Sequence, residues 1–133
     1  MGVTLDSSVL IDLLRGNAAT LRHIDRLEER GLLPTLSAVA VFEVLSGIEF
    51  TKSRSERARV EIMLRGLPIE PFDLDSARRA GEIRAELLRM GKTPGVPDVM
   101  IAGHALSQGH TLITRDRALA TASSALGLEV ELY

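Results

Sequence analysis

The sequence predicts an α/β fold in which a central, mainly parallel sheet of about five strands has helices on both faces. Short apolar segments of strand length alternate with longer segments whose apolar residues recur at helical spacing. Strands alternating with helices are typical of parallel sheets, because the crossover connections contain the helices. The chain has 133 residues and shows no internal repeat, low-complexity tract or linker. We therefore expect a single domain over residues 1–133.

The first strand is predicted at residues 3–5 and ends at Asp6. Ser7 or Ser8 is expected to cap the helix that follows, which has apolar residues at helical spacing and stops at Gly16. A second helix is predicted at residues 18–30, before the turn at Gly31.

The middle of the chain continues the alternation. A short strand is predicted at residues 32–36, and Ser37 is expected to cap a helix that runs to about Glu49. A charged helix at residues 55–65 ends at Gly66, and a strand follows at residues 69–72. Asp73 is the expected cap of a long amphipathic helix at residues 76–90.

The last part of the chain begins with a loop at residues 92–96, which contains Thr, Pro and Gly. Pro97 suits the first position of a helix that runs to about Gln108, and Gly109 ends it. A strand at residues 111–114, a helix at 117–124 and a final strand at 129–132 complete the pattern.

Composition restricts the class of protein. Hydrophobic residues make up 45%, charged residues 26%, and the formal net charge is −2, which argues against a protein that coats nucleic acid. There is no cysteine, which excludes disulfides and thiolate metal sites. The start of the chain lacks a signal-peptide pattern, and no apolar run reaches membrane-spanning length. We therefore expect a soluble, cytoplasmic protein with no membrane partner.

Three acidic residues stand where a parallel sheet would place a site. Open parallel sheets bind ligands outside the carboxyl ends of their strands. Asp6 directly follows the first strand, Asp116 follows the strand at 111–114, and Asp98 opens a helix after a loop of Pro and Gly. Each has an alternative explanation, because an acid also caps a helix or is favoured by its dipole.

A fourth acid, Glu43, lies in the most apolar predicted helix, within the segment AVAVFEVL. A buried ionised carboxylate needs a partner or a cation. The alternative is a narrow polar stripe with Ser46 and Glu49, which would leave Glu43 at the surface.

Convergence of these acids would require a cation. Two carboxylates about 5 Å apart repel by roughly 3 kcal/mol at an effective dielectric near 20. Oxygen ligands favour Mg²⁺ or Mn²⁺ over zinc. The absence of cysteine and the scatter of the three histidines along the chain also disfavour a zinc site. Of these histidines, His104 is interpreted as a packing or surface residue.

Each of the four acids lies in a recognisable segment. The segments are DSSVLID from Asp6, VFEVLSGIE around Glu43, PDVMIAGHAL around Asp98 and GHTLITRD ending at Asp116. In this order and spacing, over nearly the whole chain, they resemble the PIN-domain ribonucleases, in particular the VapC-type toxins of toxin–antitoxin modules. Each segment alone is a weak signal, whereas the four together are a strong one.

The resemblance implies an endoribonuclease that hydrolyses RNA phosphodiesters with Mg²⁺ or Mn²⁺. Asp6 and Asp98 would be the main metal ligands. Glu43 would bind the metal directly or through water, or help to deprotonate the nucleophile. Asp116, the most variable acid of the family, would complete the site.

Two further residues are candidates to support these acids, and the chain departs from the family at a few positions. Ser7 and Thr114 are placed to hydrogen-bond a carboxylate or a metal-bound water. Ser7 and Ser8 stand where Thr and Asn are commoner, which changes the polar groups beside Asp6. Gly103 stands where Ala is usual, at a mild cost in helix propensity.

The resemblance also implies partners: an RNA substrate, a cognate antitoxin of the VapB type and a second copy of the chain in a homodimer. Two alternatives stay open, a catalytically inactive binding partner with the same fold and a carboxylate nuclease directed at DNA. A phosphoacceptor receiver domain is disfavoured, because Lys52 and Lys92 lie in the wrong segments for its essential lysine.

Overall fold

The computed structural model describes residues 2–133, which form a five-stranded sheet and seven helices. In chain order the elements are β1 (Gly2–Leu5), α1 (Ser7–Leu14), α2 (Ala18–Glu29), β2 (Leu33–Ser37), α3 (Ala38–Thr51), α4 (Arg54–Gly66), β3 (Ile69–Glu70), α5 (Leu74–Arg89), α6 (Val96–Gln108), β4 (Thr111–Thr114), α7 (Arg117–Ala125) and β5 (Val130–Leu132). The strand order is β3-β2-β1-β4-β5, and each pairing is parallel. The α/β class is confirmed, with a sheet that is entirely rather than mainly parallel.

Strand β1 lies at the centre of the sheet, and helices cover both of its faces. Val3, Thr4 and Leu5 are all fully buried, although successive side chains of a strand point to opposite faces. Burial on both faces explains why parallel strands of this kind are continuous apolar runs. Within residues 2–133, no helix combines the length and the apolar character needed to cross a membrane.

The register brings the carboxyl ends of the central strands together. Leu5 of β1 pairs with Ile113 of β4, and Thr4 pairs with Thr35 of β2. The residues that follow β1 and β4 therefore lie side by side at one edge of the sheet.

Helix caps agree with the sequence at two predicted positions and differ at a third. Ser37 accepts from the Val39 N–H at 3.1 Å and caps α3, and Asp73 caps α5. Helix α1, however, is capped by Asp6 and not by Ser7 or Ser8. The extended backbone of Asp6 allows its carboxylate to accept from the N–H of the next residue, so the helix begins one residue earlier than a serine cap would permit.

Other boundaries also differ from the predicted ones, and two of these differences involve a proline. Strand β3 covers only Ile69–Glu70 instead of residues 69–72, because Pro71 has no N–H to donate to the sheet. Helix α6 begins at Val96, so that Pro97 occupies its second position rather than its first. Gly109 ends α6 with a φ of +69°, as expected of a glycine that closes a helix.

Helices α5 and α6 pack closely because Gly103 has no side chain. A Cβ at Gly103 would lie 2.4 Å from the backbone nitrogen of Ala80 in α5. The glycine that departs from the family pattern is therefore a packing requirement here, and it sets the position of α6 against its neighbour.

Candidate active site

Asp6 stands at the carboxyl end of β1, held in place by both backbone and side-chain hydrogen bonds. Its N–H donates to the carbonyl of Ile113 at 3.0 Å, which fastens it beside β4. One carboxylate oxygen accepts from the backbone N–H of Ser7 at 2.8 Å. The other accepts from the hydroxyl of Thr114 at 2.7 Å. Asp6 is only 4% exposed, so burial and these bonds fix its orientation.

Thr114 links two of the predicted acids. Its hydroxyl donates to Asp6 and accepts from the backbone N–H of Asp116 at 3.1 Å. Thr114 is fully buried at the end of β4. The hydrogen bond expected from Ser7 is also present, but the backbone N–H makes it and the hydroxyl does not.

Asp116 is exposed and caps α7, where its carboxylate accepts from the N–H of Leu119 at 3.0 Å. Asp116 is therefore a helix cap, which was the alternative explanation for it. A carboxylate has further lone pairs, so capping leaves an oxygen of Asp116 available to a ligand.

Glu43 projects from α3 with one oxygen, Oε1, that is buried and has no hydrogen-bond partner within residues 2–133. Glu43 is half-buried, so it does not lie on the exposed polar stripe that was the alternative interpretation. A buried carboxylate oxygen without a donor is costly unless a cation or a water occupies the space before it.

Asp98 lies in the first turn of α6 and is half-buried. Gly95, which caps that helix, leaves room for it, since a Cβ there would lie 2.7 Å from the Asp98 Oδ2. The pKa of Asp98 is raised to about 6, mainly by burial and also by the charges of Asp6, Glu43 and Asp116.

The four predicted acids therefore converge, and we call Asp6, Glu43, Asp98 and Asp116 the carboxylate rim. Burial is the main reason that the pKa of Asp6 is raised, even though Thr114 and Ser7 hydrogen-bond its charged form, and Glu43 and Asp116 add repulsion. In residues 2–133, no ion pair with Lys, Arg or His reaches any of the four. Such a set of oxygens has the donor chemistry for a hard divalent cation.

Asp12, the second acid of the first motif, does not belong to the rim. It forms an ion pair with Arg115 and accepts a hydrogen bond from the hydroxyl of Tyr133 at 3.2 Å. The Arg115 guanidinium also lies 5.0 Å from the centre of the Tyr133 ring. These contacts neutralise Asp12 locally and leave the rim to the other four acids.

One residue beside the rim was not identified from the sequence as part of a site. Lys92 lines a cavity together with Asp98 and Asp116. Its position in a loop of Thr, Pro and Gly, immediately before the third motif, was the only signal in the sequence.

A second group of potential ligands was also missed. Glu70, His104 and His110 each offer a ligand atom, and the three atoms lie within 4.8 Å of one another. We call these residues the histidine cluster. His104 is a packing residue, as one of its two interpretations held, but it packs against a carboxylate, with its Nε2 3.4 Å from the Glu70 Oε2.

Comparison with known proteins gives a consistent result. The family model described as the PIN domain matches residues 3–124. The chain is 30% identical over 113 residues to the tRNA(fMet)-specific endonuclease VapC of Shigella flexneri, and the aligned residues cover 84% of each chain. It is 32% identical to ribonuclease VapC3 of Methanocaldococcus jannaschii over 102 residues, or 77% of this chain and 96% of the relative.

The fold agrees with a solved structure of a related complex. DNA-bound VapBC from Salmonella typhimurium contains a chain that is 28% identical and superposes with a TM-score of 0.81. The match covers 99% of this chain and 98% of the other.

Proposed function

This chain belongs to the PIN domain family, among the VapC ribonucleases, and we propose that it hydrolyses RNA at the carboxylate rim with the help of a divalent cation. Its function is that of an endoribonuclease toxin of a toxin–antitoxin system.

The observation that best supports the proposal is the convergence of four carboxylates without a cationic side chain paired to any of them. The raised pKa of Asp98 and the unpartnered Oε1 of Glu43 both indicate space and charge suited to a cation. An all-oxygen donor set favours Mg²⁺ or Mn²⁺. When bound, such an ion would orient the phosphate and stabilise charge that develops on its oxygens.

The roles of the four acids follow from how each is held. Asp6, fixed through both oxygens by Ser7 and Thr114, and Asp98, at the start of α6, are the main ligands. Asp116 completes the set with the oxygen that its helix cap leaves available.

Glu43 has a different role, because its Oε1 is the only oxygen of the rim that is buried without a partner in the described part of the chain. This oxygen is positioned to hold the attacking water and take its proton. Lys92, across the cavity, would attract the phosphate backbone of the substrate.

The partners of the chain are proposed from its surface. A groove between α1, α3 and α4 leads to Glu43 and is lined by apolar residues that include Ile11, Leu14 and Ile48. An antitoxin segment of the VapB type that lies in this groove would cover the rim and inhibit the enzyme. A separate apolar patch with Phe42, 63% exposed, and Met100 is suited to a second copy in a homodimer. The proposed location is the cytoplasm, where RNA is the available substrate.

The test is an RNA cleavage assay on the full chain with Mg²⁺ and with Mn²⁺. Asp98→Asn and Asp6→Asn keep the side-chain volume and should each lower the cleavage rate by more than about a hundredfold. Asp25→Asn is the matched control, since Asp25 is exposed on α2 away from the rim and should leave the rate unchanged. Full activity in Asp98→Asn would overturn the assignment of the rim.

The same preparation distinguishes the two alternatives. Equal or faster cleavage of DNA in a parallel digestion would establish a DNA-directed nuclease. Binding of Mg²⁺ with no cleavage of either nucleic acid would establish an inactive binding partner of the same fold.

A further inference from the structure

The histidine cluster is assembled from three distant parts of the chain. Glu70 ends the two-residue edge strand β3, His104 lies in α6, and His110 immediately precedes β4. His104 is six residues beyond Asp98, or about 9 Å farther along the axis of α6, so the cluster is separate from the carboxylate rim.

His104 is the most unusual member of this cluster. It is fully buried, and neither of its ring nitrogens has a hydrogen-bond partner within residues 2–133. Buried imidazoles normally satisfy at least one nitrogen, because an unpaired buried polar atom loses the hydrogen bonds that water would make. Burial also lowers the pKa of His104, which favours the neutral form of the ring that has a free lone pair.

The spacing between His104 and Glu70 fits a shared metal ion. The His104 Nε2 lies 3.4 Å from the Glu70 Oε2, yet the two atoms make no hydrogen bond. Two ligands bound to one tetrahedral Zn²⁺ at its usual bond lengths are about 3.3 Å apart. The separation is therefore already that of two ligands of the same ion.

His110 provides the third ligand atom. Its ring is held by neighbouring hydroxyls, with Thr4 Oγ1 3.0 Å and Thr35 Oγ1 3.5 Å from the Nδ1. The His104 and His110 rings meet edge to face, with their centres 6.2 Å apart. A small movement of the His110 side chain would complete a three-ligand site.

We propose that Glu70, His104 and His110 bind one Zn²⁺ ion, with a water at the fourth position. Two imidazole nitrogens and one carboxylate oxygen are the donor set of many zinc sites, whereas Mg²⁺ prefers oxygen alone. Glu70 has a side chain 26% exposed, which leaves an entry path. The bound ion joins the end of β3 to α6 and β4, and it stabilises an edge strand that has only two residues.

The test is a zinc titration of the full chain after it has been stripped with a chelator, in competition with a chromogenic chelator. The wild type should bind one Zn²⁺ per chain and melt at a higher temperature with zinc than without. In Co²⁺-loaded protein, the visible absorption of tetrahedral cobalt should appear. Glu70→Gln and His110→Gln, at partly exposed positions, should each weaken zinc binding by at least about tenfold.

Matched variants separate this site from other histidines and from the rim. His23→Gln removes an imidazole outside the cluster, and Asp98→Asn alters the rim; both should bind zinc as the wild type does. Failure of the wild type to bind zinc in the titration would overturn the proposal. So would zinc binding that is lost in Asp98→Asn but unchanged in Glu70→Gln, since the ion would then lie at the rim. None of these measurements depends on RNA cleavage.

Discussion

The carboxylate rim and the histidine cluster are two polar groups on the same sheet, and they are built in opposite ways. The rim collects four like charges, three of them at strand ends or helix starts and the fourth, Glu43, within α3. In the cluster, the buried imidazole of His104, a residue of α6, lies beside a single carboxylate, that of Glu70. The two groups therefore suit different ions, since oxygen donors alone favour a hard cation and mixed nitrogen and oxygen donors favour a softer one.

Helix α6 is the element that the two groups share. Asp98 lies in its first turn and His104 nearly two turns later. Its position against α5 is set by the contact of Gly103 with Ala80. A substitution at the rim should therefore affect the rim alone, whereas a substitution that moves α6 should affect both groups.

Among residues that support the acids of the rim without being one of them, the largest effect is expected from Thr114→Val. Valine has nearly the same shape but lacks the hydroxyl that donates to Asp6 and accepts from the Asp116 N–H. Loss of such a supporting bond typically costs about 10–100-fold in metal affinity or activity. The Mg²⁺ concentration needed for half-maximal RNA cleavage should rise, while zinc binding at the histidine cluster should stay unchanged.

Thr114→Ser is the control for this variant, because serine keeps the hydroxyl. It should recover most of the activity. An inactive Thr114→Ser with an active Thr114→Val would contradict the hydrogen bond as the cause.

Gly103→Ala should perturb both groups together. Alanine normally favours a helix, but here its Cβ would meet the backbone of Ala80 at 2.4 Å. The helices must separate, at a cost of about 1–3 kcal/mol in the free energy of unfolding. Urea denaturation measures this. Gly81→Ala in α5 is the control, since a Cβ there meets nothing within 4 Å and should be neutral or stabilising. A stabilised Gly103→Ala protein would show that the close packing is absent in solution.

The smallest effect is expected from Asp98→Asn without metal. The pKa of Asp98 is raised to about 6 from its ordinary 3.8, so the folded state holds this proton to higher pH than the unfolded state. Its contribution to stability is therefore lost as the pH rises from about 4 to 6, and the ionised side chain destabilises the metal-free fold above that range. The Asn variant should be more stable near neutral pH by about 1–2 kcal/mol, after allowance for partial exposure.

Thermal melting at several pH values, with and without Mg²⁺, measures this difference. Mg²⁺ should raise the melting temperature of the wild type and of Asp25→Asn, and have little effect on Asp98→Asn. A wild type whose melting is indifferent to Mg²⁺ would contradict a preformed metal site at the rim.

Much of the fold could be predicted from the sequence because its signals are local. Apolar spacing, the caps Ser37 and Asp73 and the stop at Gly109 each depend on a few neighbouring residues. The predictions that were wrong lie where two local signals compete. Asp6 displaced Ser7 and Ser8 as a cap, and Pro71 shortened β3.

The rim was predictable for a related reason. Parallel strands end at one edge of the sheet, so acids that follow strands are brought together by topology alone, which the register of Leu5 with Ile113 achieves for Asp6 and Asp116. The hydroxyl of Thr114 was also a candidate by its place at a strand end, and it lies 2.7 Å from the Asp6 carboxylate.

By itself, the sequence determined the α/β class, the order of the elements, three acids at strand ends or a helix start and a fourth within an apolar helix, because periodicity, capping and strand-end position are encoded over short stretches. Only the tertiary structure decided that Glu43 has an unpartnered oxygen, that Gly103 is a contact and that Glu70, His104 and His110 meet. Gly103 meets Ala80 from 23 residues away, and Glu70 meets His104 and His110 from 34 and 40 residues away, so these features depend on how distant elements pack. No local pattern specifies such distances, because they are set by how the helices pack on the sheet.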